Sequence, residues 1–184
     1  GPALAAGNTI VIKPASSTPM TAIRVIELML EAGFPKGVLN IVTGAGSTCG
    51  EELITNAKVR RVAFTGASNT GQHIMEMAGR DFKRVTLELG GSDPMIVCDD
   101  ADLGRAASMA MVGRFFNCGQ QCLGVKRLYV FESVADQFIE QLVGKAKKLK
   151  VGVGTEKDTR CGPLHTDAQR QEVQEQVEDA IKRG

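Results

Sequence analysis

Cys122 is the residue best suited in this chain to make and break a covalent bond. It ends the run Asn117-Cys118-Gly119-Gln120-Gln121-Cys122, between a helix-like stretch and the strand-like Lys126-Arg127-Leu128-Tyr129-Val130-Phe131. A thiolate is a strong nucleophile, and a turn broken by glycine is a place where one can be offered to a carbonyl. Glu88 is the second such residue. It stands at the end of an apolar strand in Leu87-Glu88-Leu89-Gly90-Gly91, where a carboxylate can act as a general base. Each also has a plainer reading. A free cysteine is often a buried, inert spacer, and a strand-end carboxylate often pairs with a lysine or caps a turn. Spacing alone leaves both readings open. Cys118 stands close enough to Cys122 for a metal pair, but His73 and His165 lack ligand spacing, so no metal is expected.

Three turns follow apolar runs in the first half: Lys13-Pro14-Ala15-Ser16, Thr43-Gly44-Ala45-Gly46, and Phe64-Thr65-Gly66-Ala67-Ser68-Asn69-Thr70-Gly71, the last opening a helix. Helix N-termini carry free N–H groups and partial positive charge, and glycine lets a phosphate approach the backbone. In open parallel sheets, ligands bind beyond the carboxyl ends of the strands. Any one of these turns is explained by chain reversal alone. Three at the same end of a sheet favour a nucleotide site, although the G-x-G-x-x-G fingerprint is absent. Lys13, at a strand's carboxyl end, is placed to bond ribose hydroxyls or a phosphate.

The elements that must hold these residues alternate. Strands are expected over residues 9–12, 38–42, 59–64 and 84–89, with helices over 21–32, 47–55 and 69–79 between them. The run 9–12 reads as a strand buried on both faces. After Gly91 come a strand over 94–97, a helix over 101–116, a strand over 126–131, and helices over 134–149 and 166–183. That alternation predicts an α/β protein: an open, parallel, twisted sheet with flanking helices. The glycine pair at 90 and 91 is the expected boundary. Residues 1–89 read as one domain and 90–184 as the opening of a second.

Bulk properties narrow the function. A hydrophobic share of 43% supports a packed core, and a net charge of +1 gives no surface for nucleic acid. No apolar run is long enough to span a bilayer, so no membrane partner is expected. Five irregularly spaced cysteines cannot all pair, which points to free thiols and a cytoplasmic setting. Neither end looks like a domain edge, so the chain reads as an internal fragment of a longer protein.

Taken together, the motifs resemble the NAD(P)-dependent aldehyde dehydrogenase superfamily. The matching residues are Gly7-Asn8-Thr9-Ile10-Val11-Ile12-Lys13-Pro14, Phe64-Thr65-Gly66 with Gly71, Leu87-Glu88-Leu89-Gly90-Gly91, Gly119-Gln120-x-Cys122 and Gly162-Pro163-Leu164. The resemblance implies a thiohemiacetal and then a thioester on Cys122, and hydrolysis by water that Glu88 activates. It implies that the Cys122 amide helps hold the oxyanion. Lys13 and Ser16 would lie at the adenosine ribose. Gly44, Gly46, Phe64, Thr65, Gly66 and Gly71 would line the cofactor, and Leu89 would meet its nicotinamide side through the backbone. The first domain would then be the later part of the cofactor domain, and the second the start of the catalytic domain. The oxyanion asparagine, a second cofactor-binding glutamate and the oligomerising strand would lie outside the chain. The fragment alone is therefore expected to be inactive, and its parent to be a homo-oligomer.

Three departures refine the resemblance. Ser16 stands where many NAD-preferring members carry a ribose-binding glutamate; a serine does not repel a 2′-phosphate, so NADP acceptance is expected. Ala67 replaces a serine often found beside Gly66, removing one hydrogen bond to the pyrophosphate. The general sequence is similar to succinate-semialdehyde dehydrogenases. Those carry an arginine for the substrate carboxylate where this chain has Phe116, which favours an apolar or small neutral aldehyde. Two rivals remain. A CoA-acylating semialdehyde dehydrogenase usually lacks the glutamate at the Glu88 position. A non-catalytic nucleotide-binding protein of the same fold would not need Glu88 and Cys122.

Overall fold

The computed structural model describes all 184 residues. They divide into two compact units, Gly1–Glu88 and Leu89–Gly184, one residue before the expected boundary.

The first unit alternates strand and helix. A one-turn helix α1 (Pro2–Ala5) is followed by β1 (Ile10–Ile12), α2 (Met20–Glu31), β2 (Leu39–Ile41), a π-turn over Gly46–Gly50, α3 (Glu51–Thr55), β3 (Arg61–Thr65), α4 (Ser68–Gly79) and β4 (Arg84–Glu88). The strands form two parallel pairs, β1 with β2 and β3 with β4, not one continuous ladder. Helix α2 ends because Gly33 adopts φ +98°, which lets the Phe34 amide reach back to the Met29 carbonyl at 3.2 Å.

The core of this unit lies between the β3–β4 pair and its helices. Val62 pairs with Val85 and Phe64 with Leu87, so the period-2 alternation turns all four to one face. There they pack on buried Ile54 of α3 and Ile74, Met77 and Ala78 of α4. Lys83 secures the end of α3 by donating to the Ile54 and Asn56 carbonyls at 2.5 and 2.7 Å, two of the acceptors a helix end leaves unpaired. The first strand departs from expectation. Val11 is 43% exposed and its neighbours Ile10 and Ile12 are only half-buried, so β1 is not buried on both faces.

The second unit is built from β5 (Asp93–Val97), α5 (Leu103–Phe115), a 3-10 turn over Phe116–Gly119, β6 (Val125–Val130), α6 (Glu132–Ala146) and α7 (Asp167–Arg183). β5 and β6 pair in parallel, with a register shift between Asp93 and Pro94, where proline supplies no N–H to the ladder. Asp102 caps α5, accepting from the Arg105 amide at 3.0 Å. That cap starts the helix later than the expected residue 101. Ala107 and Ala110 are small enough to bring α5 against Phe138 of α6, which is 1% exposed, and Val97 completes this core. Helix α7 buries no residue, and Thr166 caps it through Gln169. No helix is long and apolar enough to cross a membrane.

Candidate active site

At the carboxyl ends of β1 and β2, one carbonyl gathers two of the expected cofactor residues. Lys13 Nζ donates to Gly44 O at 3.2 Å and to Pro14 O at 3.0 Å, and Ser16 Oγ donates to the same Gly44 oxygen at 3.2 Å. Ser16 is exposed and brings no charge to this edge. Gly44 has to be glycine here, because a Cβ would run into the Cys49 thiol. Gly46 opens the π-turn with free space around it.

The second cluster is at the carboxyl ends of β3 and β4. Thr65 pairs with Glu88, and the Gly66 amide donates to Glu88 O at 3.0 Å. The Phe64 ring folds over Gly66 so closely that a Cβ would meet it at 2.5 Å. The Gly66 amide is therefore spent on the sheet, and what the residue offers a ligand is its bare Cα face. Amides with no acceptor in the unit follow at Ser68 and Asn69, on a helix whose N-cap, Ala67, supplies no side-chain bond. Gly71 is buried in the first turn of α4. The Glu88 side chain is exposed and makes no ion pair or hydrogen bond, so it is neither a lysine partner nor a turn cap. A recess of about 370 Å³ between Arg60, Asp81 and Lys83 lies at the opposite, amino ends of these strands, away from this chemistry.

In the second unit, Cys122 is exposed, not a buried spacer. Its own amide donates to no protein group, leaving an N–H free beside the thiol. The turn before it carries strain. Asn117, Cys118 and Gly119 have φ of 51°, 58° and 73°. Glycine and asparagine tolerate that region, but cysteine there costs about 1–3 kcal/mol. Side chains that the motif reading gave no role hold the turn. Arg114 donates to Gly119 O and Val125 O at 3.3 and 3.4 Å, and Lys126 Nζ to Cys122 O at 3.0 Å. Gln120 is tied to residues 163 and 165. Leu89 begins this unit and is half-buried.

All 184 residues match the family model described as the aldehyde dehydrogenase family. The chain belongs to the aldehyde dehydrogenase family. It is 47% identical over its full length to glutarate-semialdehyde dehydrogenase of Pseudomonas putida, and 45% identical to the NADP(+) succinate-semialdehyde dehydrogenase of Escherichia coli. In each case it spans 38% of the relative's length. Among solved structures it superposes on an E. coli NADP-dependent enzyme with a TM-score of 0.96 at 45% identity. It also superposes on betaine aldehyde dehydrogenase of Staphylococcus aureus in complex with NAD+, with a TM-score of 0.92 at 42% identity. It covers all of itself and 38% and 36% of those two chains.

Within this aldehyde dehydrogenase chain the five cysteines are free but not equivalent. Burial, and then a hydrogen bond with the Cys118 thiol, pushes the Cys161 thiol above its ordinary value. A raised thiol pKa lowers the thiolate fraction near neutral pH. At pH 8 Cys161 should therefore alkylate with iodoacetamide more slowly than exposed Cys98. The gap should narrow as pH rises through the raised value. Equal rates for the two peptides by mass spectrometry would contradict this.

Proposed function

We propose that the protein carrying this chain oxidises an aldehyde to a carboxylic acid with NAD(P), through a thioester on Cys122. The observation that carries the reading is the exposed Cys122 thiol beside its own unpaired amide, in a chain of this family. Cys122 adds to the aldehyde carbon as thiolate, and the developing oxyanion takes the Cys122 amide hydrogen bond. Bound NAD(P) supplies the hydride acceptor that turns the resulting thiohemiacetal into a thioester. Glu88, with no partner to hold its charge, removes a proton from the water that cleaves the thioester. Residues 1–89 then contribute the later part of the cofactor domain, and 90–184 the start of the catalytic domain.

The residues at the strand ends fit a dinucleotide. Lys13 and Ser16 meet over one carbonyl, a place for ribose hydroxyls. The open amides of Ser68 and Asn69 suit a pyrophosphate, with Thr65, Gly66 and Gly71 shaping the approach. The absence of a carboxylate at Ser16 supports use of NADP. Relatives at similar identity include one named for NADP and one crystallised with NAD+, so similarity alone does not set the preference, and residue 16 is the position put to the test. Substituting Ser16→Glu in the natural-length protein should cut kcat/KM with NADP by about 10- to 100-fold while sparing NAD. An added carboxylate about 4 Å from a phosphate costs about 1–4 kcal/mol per charge pair. Steady-state kinetics with both cofactors decide it, and an unchanged NADP-to-NAD ratio counts against the assignment. Phe116 is 65% exposed and carries no charge, which fits an apolar or small neutral aldehyde. Purified natural-length protein that reduces neither cofactor with any of a panel of aliphatic, aromatic and semialdehyde substrates would overturn the whole reading. A homo-oligomer in the cytoplasm is the expected setting.

A further inference from the structure

We infer that Gln120 is a positioning residue for Cys122: its side-chain amide bolts the nucleophile's turn to the segment over residues 162–165. The inference rests on the reading of Cys122 as nucleophile. The turn leading to that residue has three successive left-handed residues, a path that a short loop leaves unless its surroundings fix it. Arg114 and Gln121 tie the turn only to itself, to α5 and to the start of β6. The Cys118 thiol meets Cys161, and Gln120 reaches further along the same distant segment. Its Oε1 accepts from the His165 amide at 2.8 Å, and its Nε2 donates to Asn117 O at 3.1 Å and, more weakly, to Pro163 O at 3.5 Å. Around it, the Asn117 side chain donates from Nδ2 to Gln120 O at 3.2 Å, and Gln120 N donates to Asn117 O at 3.1 Å. The His165 amide can only donate and the two carbonyls can only accept, which fixes the orientation of the Gln120 amide. A primary amide has the donor and the acceptor this place needs. Methionine, of nearly the same length, has neither useful group. Glutamate keeps the acceptor for His165 and loses the donor.

The Cys122 thiol lies two residues beyond the bolt, so a turn freed at Gln120 presents the sulfur in many directions, and reactivity that depends on alignment falls. The test uses Gln120→Met and Gln120→Glu in the natural-length protein. Three readouts apply: iodoacetamide labelling of Cys122 against Cys98, amide hydrogen exchange at His165, and kcat against KM. Gln120→Met should slow Cys122 labelling and lower kcat together, by about 10- to 100-fold. Cys98 labelling and the KM for the dinucleotide should stay at their wild-type values, and the His165 amide should exchange faster. Gln120→Glu should keep His165 protection and fall between the two in kcat, and it decides the matter if the methionine variant does not fold. Wild-type labelling of Cys122 and wild-type exchange at His165 in Gln120→Met would overturn the inference. A different failure marks the parent reading: Cys122 of the wild-type protein labelling no faster than Cys98 removes the nucleophile, whatever His165 does.

Discussion

Replacing Cys122 by alanine in the natural-length protein should abolish aldehyde-dependent NAD(P)H formation, with a loss on the order of 10⁴-fold or more, as expected when a covalent nucleophile is removed. Folding should be nearly unaffected, because the side chain is exposed and fills no core position; the melting temperature should move by no more than about 2 °C. The two measurements are needed together. Loss of activity with loss of stability would say only that the turn had collapsed. Loss of activity in a protein that melts normally and still binds dinucleotide assigns the chemistry to the sulfur. Serine at this position is a sharper test than alanine, since it keeps size and polarity and gives up the acidity and nucleophilicity that make a thiol useful. A serine variant that retains more than about a tenth of the activity would count against a step that needs the thiol.

The parts of this molecule that follow local periodicity were legible in the sequence. The alternation Arg61-Val62-Ala63-Phe64-Thr65 gives a strand whose inward residues are those that pack on α4, and the apolar spacing in α2 gives its buried Ile26. What local pattern does not encode was misjudged. Val11 reads as buried because its neighbours are apolar, yet burial depends on whether a second layer covers the strand. The helix expected from residue 47 begins as a π-turn at Gly46, because a run of small residues has no strong preference among tight windings. At the site, the thiol and the carboxylate stood out as reactive groups at turns. The hydrogen bonds that govern them did not. Gln120 finds partners 43 and 45 residues away, and Arg114 and Lys126 bond backbone carbonyls, which every residue has and no motif records. The left-handed backbone was signalled by Gly119 and by Asn117, whose types tolerate it; at Cys118 no residue type announces it.

Changing Glu88 to glutamine should separate the two halves of the reaction. The carboxylate is exposed at the end of β4 and bound to nothing, so its removal leaves no buried charge unpaired and should cost little stability. Formation of the thioester needs the thiolate and a hydride acceptor; its hydrolysis needs a base to activate water. The variant should therefore keep a first turnover, seen as a burst of NAD(P)H equal to the enzyme concentration. It should then stall, with kcat lowered by about 10²- to 10⁴-fold, the usual worth of a general base. Intact-mass analysis of the stalled protein should find the acyl group on the peptide containing Cys122. Coenzyme A divides the hydrolytic reading from the acyl-transfer one. A thiol nucleophile is partly ionised near pH 8 and far more acidic than water, so it does not need Glu88. If the natural acceptor is water, coenzyme A should leave the wild-type rate unchanged. If it is a thiol, coenzyme A should raise that rate many-fold, and Glu88→Gln should then barely matter. A burst that disappears along with steady turnover would place Glu88 in the first half of the reaction, before the thioester forms, and would end its assignment as the hydrolytic base.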